Sequence, residues 1–183
     1  MFALLEERNV EYVLVGGIAM LAYVEGRNTQ HIDLIVASSD LEKLLEIRIE
    51  DRNPEFARGW LGELRVDFLF TDSKIFDTVQ KKYVTTKRFV ERDVPCATAE
   101  GLLLLKLSAL PDLYRQGQFA KVDLYEKDVA SLLRLLPGRS DAILKELAKY
   151  KLASDIEEIR KIVAEIEDRI AKQSKRFGVN EAS

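Results

Sequence analysis

The sequence predicts an α+β fold, a small mixed β-sheet packed by helices and followed by a C-terminal helical part, and three observations carry that expectation. The first lies between Tyr12 and Val36. An apolar run enters Gly16-Gly17, an apolar helical segment continues to Gly26, and a polar link leads into the alternating run His31-Ile32-Asp33-Leu34-Ile35. This order reads as strand, glycine turn, short helix and second strand. The second observation is Leu64 to Phe70, where Val66, Phe68 and Phe70 alternate with Arg65, Asp67 and Leu69 in the two-residue period of a strand. The third is that most of the chain beyond residue 98 carries apolar residues at helical spacing.

The remaining elements follow in order. Residues 2–9 form a short helix with Phe2, Leu4 and Leu5 on one side, leading into a strand over 11–15. After the second strand, Ser38-Ser39-Asp40 offers an N-cap for a helix with Leu41, Leu44 and Leu45 turned inward, and Asn53-Pro54 breaks the pattern. A helix is expected over 74–82, then one or two strands over 85–98 interrupted near Pro95. The next helix, 98–110, gathers Leu102, Leu103, Leu105 and Leu110 around Lys106, the single charged residue among 102–110. A polar segment over 112–121 separates it from a helix over 122–136 that stops at Pro137-Gly138.

Two last helices occupy 140–150 and 154–175, the second opening with a capping-box pattern, Ser154-Asp155-Ile156-Glu157. Its apolar positions Ile156, Ile159, Val163, Ile166 and Ile170 make a narrow seam, which either packs on the chain's own core or pairs in a homo-oligomer. The expected division is a core over 1–98, a helical region over 99–175 and a flexible tail over 176–183.

Composition narrows the class of function. The 183 residues, 47% hydrophobic and 32% charged, are enough for one domain with a real core and are ordinary for a soluble protein. A net charge of -3 and a pI of about 5.4 argue against broad, non-specific nucleic-acid binding. The single cysteine, Cys96, excludes an internal disulfide, and with only one histidine any metal site must draw on carboxylates. The first residues lack the pattern of a signal peptide, and no apolar run reaches the roughly 20 residues of a membrane span. A cytoplasmic protein without a membrane partner is the expectation.

Taken one at a time, the candidate functional residues have ordinary explanations. A glycine pair after a strand is common turn chemistry, a strand aspartate is usually solvated, and a lone histidine is usually structural. Their order changes the weighting. Gly16 and Gly17 place bare backbone N–H groups at a helix start, where an anion such as phosphate is favoured. His31 and Asp33, two apart on a strand, leave on one face, and Asp67 is the polar residue in the middle of an apolar strand. Together they supply a phosphate cradle beside a cluster of metal ligands.

With Arg27 and Thr29 ahead of His31-Ile32-Asp33, these residues resemble the signature of the DNA-polymerase-beta-like nucleotidyltransferase superfamily. The small branch that includes AbiEii-type toxins and minimal nucleotidyltransferases is the nearest match. The resemblance is specific over 12–36, is supported by Asp67, and extends loosely to Lys106 and to Lys127-Asp128; it does not cover 140–183. It implies a polymerase-beta-like palm topology, with Gly16 and Gly17 holding the triphosphate. Asp33 and Asp67 would bind Mg²⁺ or Mn²⁺, and Asp67 would help activate the attacking hydroxyl. Arg27 is either a phosphate contact or a solvated loop residue, and Lys106 either a phosphate contact or a side chain that snorkels from the helix edge.

The departure is His31, which stands where the family has its first aspartate. A neutral nitrogen removes one negative charge from the metal site and moves its preference from Mg²⁺ toward Mn²⁺ or another transition metal. The function implied is transfer of a nucleoside monophosphate from a nucleoside triphosphate (NTP) to a hydroxyl on a protein, an RNA or a small molecule. The alternative is a catalytically degenerate member of the fold that serves as a nucleotide-binding or protein-interaction module, including one half of a toxin–antitoxin pair.

Overall fold

The computed structural model describes residues 1–25, 29–89 and 91–177. The chain divides into two compact units, Met1–Leu102 and Leu103–Ser183. The dividing point falls a few residues past the expected boundary at 98.

The first unit is built on a seven-stranded mixed sheet. Its strands are β1 (Tyr12–Val15), β2 (His31–Val36), β3 (Arg48–Arg52), β4 (Phe56–Leu61), β5 (Leu64–Phe70), β6 (Val84–Phe89) and β7 (Arg92–Ala97), ordered β3-β4-β5-β2-β1-β7-β6. Helices α1 (Phe2–Glu7), α2 (Gly16–Met20) and α3 (Lys74–Lys82) belong to this unit. β1 runs antiparallel to β2, and β2 runs parallel to β5. Strand parity then sorts the side chains: Ile32, Leu34, Val36, Val66, Phe68 and Phe70 share one face and all are buried. The opposite face carries His31, Asp33, Arg65 and Asp67. At the His31 end of β2 and β5 one face is thus apolar core and the other polar, while Ile35 further along β2 and Val13 and Val15 of β1 are buried on the side of the polar residues.

Several local expectations need correction. The helix after Gly16-Gly17 ends at Met20 instead of reaching Gly26. Ser38–Lys43 forms a 3-10 turn capped from Ala37 without a side-chain hydrogen bond, and Leu45, expected inward, is 84% exposed. The tighter 3-10 winding changes the periodicity that placed Leu45 beside Leu41 and Leu44. Asn53-Pro54 does break a pattern, but as the turn of the β3–β4 hairpin: the Asn53 Oδ1 accepts a 2.9 Å hydrogen bond from the Glu55 N–H. Pro95 lies inside β7, opposite Thr86, and does not interrupt it. It is tolerated there because the neighbouring β1–β7 ladder registers a single partner pair, Leu14 with Cys96.

The second unit takes in most of α4 (Ala99–Arg115), with α5 (Phe119–Leu135), α6 (Ser140–Leu147) and α7 (Ala153–Phe177). α4 runs through Pro111 to Arg115, into the polar segment expected to follow the helix. Pro111 is buried, and Arg115 closes the helix by bonding Asp112 at 2.7 Å and the first-turn Asp155 of α7 at 2.9 Å. α7 begins one residue earlier than the capping-box pattern placed it, so Ser154 lies inside the helix. Within the seam, Ile156, Ile159, Val163 and Ile166 are buried in the chain's own core, where α7 packs against α5 and α6, and Ile170 is half-buried. Packing within the chain therefore accounts for the seam. Among the described residues no helix is long and apolar enough to cross a membrane.

Candidate metal centre

The site is assembled by register. β2 and β5 lie side by side with His31 opposite Arg65 and Asp33 opposite Asp67. On the far side of β5, antiparallel β4 places Arg58 opposite Asp67 and Trp60 opposite Arg65. Paired residues in neighbouring strands share a face, so one surface carries an imidazole, two carboxylates and two guanidiniums.

His31, Asp33 and Asp67 each offer one ligand atom, and these atoms lie within 4.8 Å of one another. The His31 Nε2 sits 3.3 Å from the Asp33 Oδ1. The set fits a divalent cation by its chemistry. Two carboxylates supply the hard oxygens that Mg²⁺ and Mn²⁺ accept, and the imidazole nitrogen favours the transition metals. His31 and Asp33 are partly exposed and therefore accessible from solvent, whereas Asp67 is 6% exposed.

The glycine turn has a steric reason visible only in three dimensions. Val15 is registered with Asp33, so the chain turns immediately beside that carboxylate. Gly16 adopts φ +64°, and a Cβ built on it would stand 2.0 Å from the Asp33 Oδ2. Only glycine provides both the left-handed backbone and the missing atom. The Gly17 N–H then points at the same Asp33 oxygen across 3.4 Å, a long contact that orients the carboxylate.

Asp67 is held differently. Arg58 donates to it from Nε at 3.0 Å and from its terminal nitrogen at 3.3 Å, and Arg65 does likewise at 3.1 and 2.6 Å. Burial is the largest influence and opposes ionisation, but the hydrogen bonds from Arg65 and then Arg58, with their charges, together outweigh it. They hold the Asp67 carboxyl below the usual carboxylate range. Two carboxylates face two guanidiniums, so these four groups carry no net charge.

Arg27 lies outside the described residues. Lys106 belongs to the helical unit and is 4% exposed, so it does not snorkel from the helix edge. Its ammonium sits 3.1 Å from the Asp128 Oδ2 and 3.8 Å from the centre of the Tyr125 ring. A buried lysine needs such compensation because the cost of leaving an ammonium dry exceeds what hydrophobic packing returns. The residues missed from the sequence are Arg58 and Arg65. Arg65 was within reach, since it stands two places before Asp67 on one strand face, but Arg58 requires β4, which the sequence pattern did not reveal.

The fold is one that solved nucleotidyltransferases share. The chain is similar to the antibiotic-resistance factor ANT(2'')-Ia in its solution structure, with a TM-score of 0.55 and 15% identity over 98% of this chain and 94% of that one. The crystal structure of ANT(2'')-Ia in complex with adenylyl-2''-tobramycin gives a TM-score of 0.55 at 14% identity, covering 92% and 94% of the two chains. An antigenic nucleotidyltransferase-like protein from Paracoccidioides brasiliensis gives 0.52 at 16% identity, covering 84% and 87%. No family model and no curated protein matches the sequence.

Proposed function

We propose that this protein is a metal-dependent nucleotidyltransferase that moves a nucleoside monophosphate from an NTP to a hydroxyl acceptor. The observation that carries the reading is the convergence of His31, Asp33 and Asp67, three potential ligands within 4.8 Å of one another, on a sheet whose fold matches nucleotidyltransferases. The reaction joins the acceptor oxygen to the α-phosphorus and breaks its bond to pyrophosphate, while the hydroxyl proton passes to solvent or a nearby base. Such chemistry asks for charge neutralisation and in-line positioning, which a divalent cation supplies when bound.

In this reading Asp33 and Asp67 hold the cation through oxygen and His31 through nitrogen. The bare Cα of Gly16 lets the Asp33 carboxylate sit against the backbone, and the resemblance gives Gly16 and Gly17 the triphosphate. The resemblance also gives Asp67 a part in activating the attacking hydroxyl. The adenylyl-2''-tobramycin bound by ANT(2'')-Ia supports a small-molecule hydroxyl as the acceptor class.

Calorimetric titration of the purified protein with ATP, GTP, CTP and UTP in Mn²⁺ or Mg²⁺ tests the reading. Binding is expected with Mn²⁺, and the His31→Asp variant is expected to improve binding with Mg²⁺. No binding of any triphosphate with either metal, in both forms of the protein, sinks it.

A further inference from the structure

Arg58 and Arg65 stand at the metal cluster without being able to bind metal. Each reaches Asp67 through two nitrogens, and together they make four hydrogen bonds to its two oxygens, one of which a cation at the cluster would need. The two guanidiniums come from different strands, β4 and β5, and converge on one carboxylate, each giving Nε to Oδ1 and a terminal nitrogen to Oδ2. Both arginines are partly exposed while Asp67 is buried, so the pair screens the carboxylate from solvent. Bidentate guanidinium–carboxylate bonds are among the stronger polar contacts a protein makes.

We infer that Arg58 and Arg65 are positioning residues that hold Asp67 in direct competition with the divalent cation, so that binding of the cation requires a guanidinium to let go. The inference rests on the proposed metal centre at His31, Asp33 and Asp67. It follows from geometry and charge. Asp67 oxygens that accept from guanidiniums have fewer lone pairs to offer, and two positive charges beside the cluster cancel the attraction of its two carboxylates for a dication. A purely structural role for the arginines would leave metal affinity unchanged or weaken it, whereas competition makes their removal strengthen it.

The test is Mn²⁺ binding without nucleotide, followed by the loss of the free-ion electron paramagnetic resonance signal. It is run on the wild type and on Arg58→Gln, Arg65→Gln and Arg65→Lys, with circular dichroism confirming that each is folded. The two glutamine variants remove one guanidinium each and leave the other on Asp67, so either alone can report. Each is expected to bind Mn²⁺ roughly three- to tenfold more tightly than the wild type, with the lysine variant in between because it keeps the charge but loses the fork. Adding Asp33→Asn to Arg65→Gln is expected to abolish the gain, placing the ion in this cluster. Wild-type binding with equal or weaker affinity in both glutamine variants, or a gain that survives Asp33→Asn, overturns the inference and leaves the metal centre standing. If no form binds Mn²⁺ with or without ATP, the metal centre falls and the inference with it.

Discussion

Asp67 is ionised against its surroundings, and that has consequences for stability as well as for metal binding. Burial favours its neutral form, yet Arg65 and Arg58 keep its folded-state pKa below the ordinary value of 3.8. A carboxyl whose folded value lies below its unfolded one contributes stability that is present above the unfolded value and is lost as pH falls through the folded value. The stability of the wild type is therefore expected to fall with acid below about pH 4, and Asp67→Asn should flatten that limb. Equal acid slopes in urea melts of the two proteins would contradict it. Gly16 makes a second prediction at this scale. In Gly16→Ala the left-handed backbone alone costs about 1–2 kcal/mol, and the new methyl group must push Asp33 away. The variant should be destabilised and lose Mn²⁺ affinity together, and retention of both on titration and melting would refute the close approach.

Among the elements, α4 and α5 share a buried charge that the sequence presented as a lone lysine on a leucine-rich helix. Lys106 and Asp128 form an ion pair at 3.1 Å with both side chains almost wholly buried. Removing one partner strands the other, at a cost of about 3–5 kcal/mol, whereas replacing both with apolar residues of similar volume is often neutral. Lys106→Met is thus expected to lower the stability of the protein by about that amount, and adding Asp128→Leu should restore most of it. A single variant as stable as the wild type in guanidinium melts would show that the pair is not structural. The elements that sequence periodicity missed have physical reasons. β3 is exposed at all five positions at the edge of the sheet, so it lacks the alternation that marks a half-buried strand. β4 contains Gly59, whose missing Cβ makes room for Ile47, and that glycine blurs the strand pattern.

At the scale of the whole molecule, the parts of the fold written most plainly in the sequence are those where apolar alternation meets a glycine turn. β1, the turn, β2 and β5 were legible, and with them the candidate trio His31, Asp33 and Asp67, because strand parity alone puts each on a definite face of its strand. That β5 lies beside β2 and β4 beyond β5 was not legible, since pairing between distant strands leaves no local pattern. Arg58 therefore came into view only with the structure, and with it the neutralisation of Asp67. The same limit applies to Gly16, whose turn was evident but whose contact with Asp33 depends on the β1–β2 register.

In the proposed function His31, Asp33 and Asp67 form one centre for a divalent cation that serves a nucleoside triphosphate. Pulsed electron paramagnetic resonance of the protein with Mn²⁺ and a non-hydrolysable ATP analogue tests it most directly, because a coordinated imidazole imprints a nitrogen coupling on the manganese signal. That coupling is expected in the wild type, absent in His31→Asp with the ion still bound, and lost together with the bound ion in Asp33→Asn. A wild-type spectrum without nitrogen coupling, or one unchanged by either substitution, would place the cation elsewhere and rule out this centre.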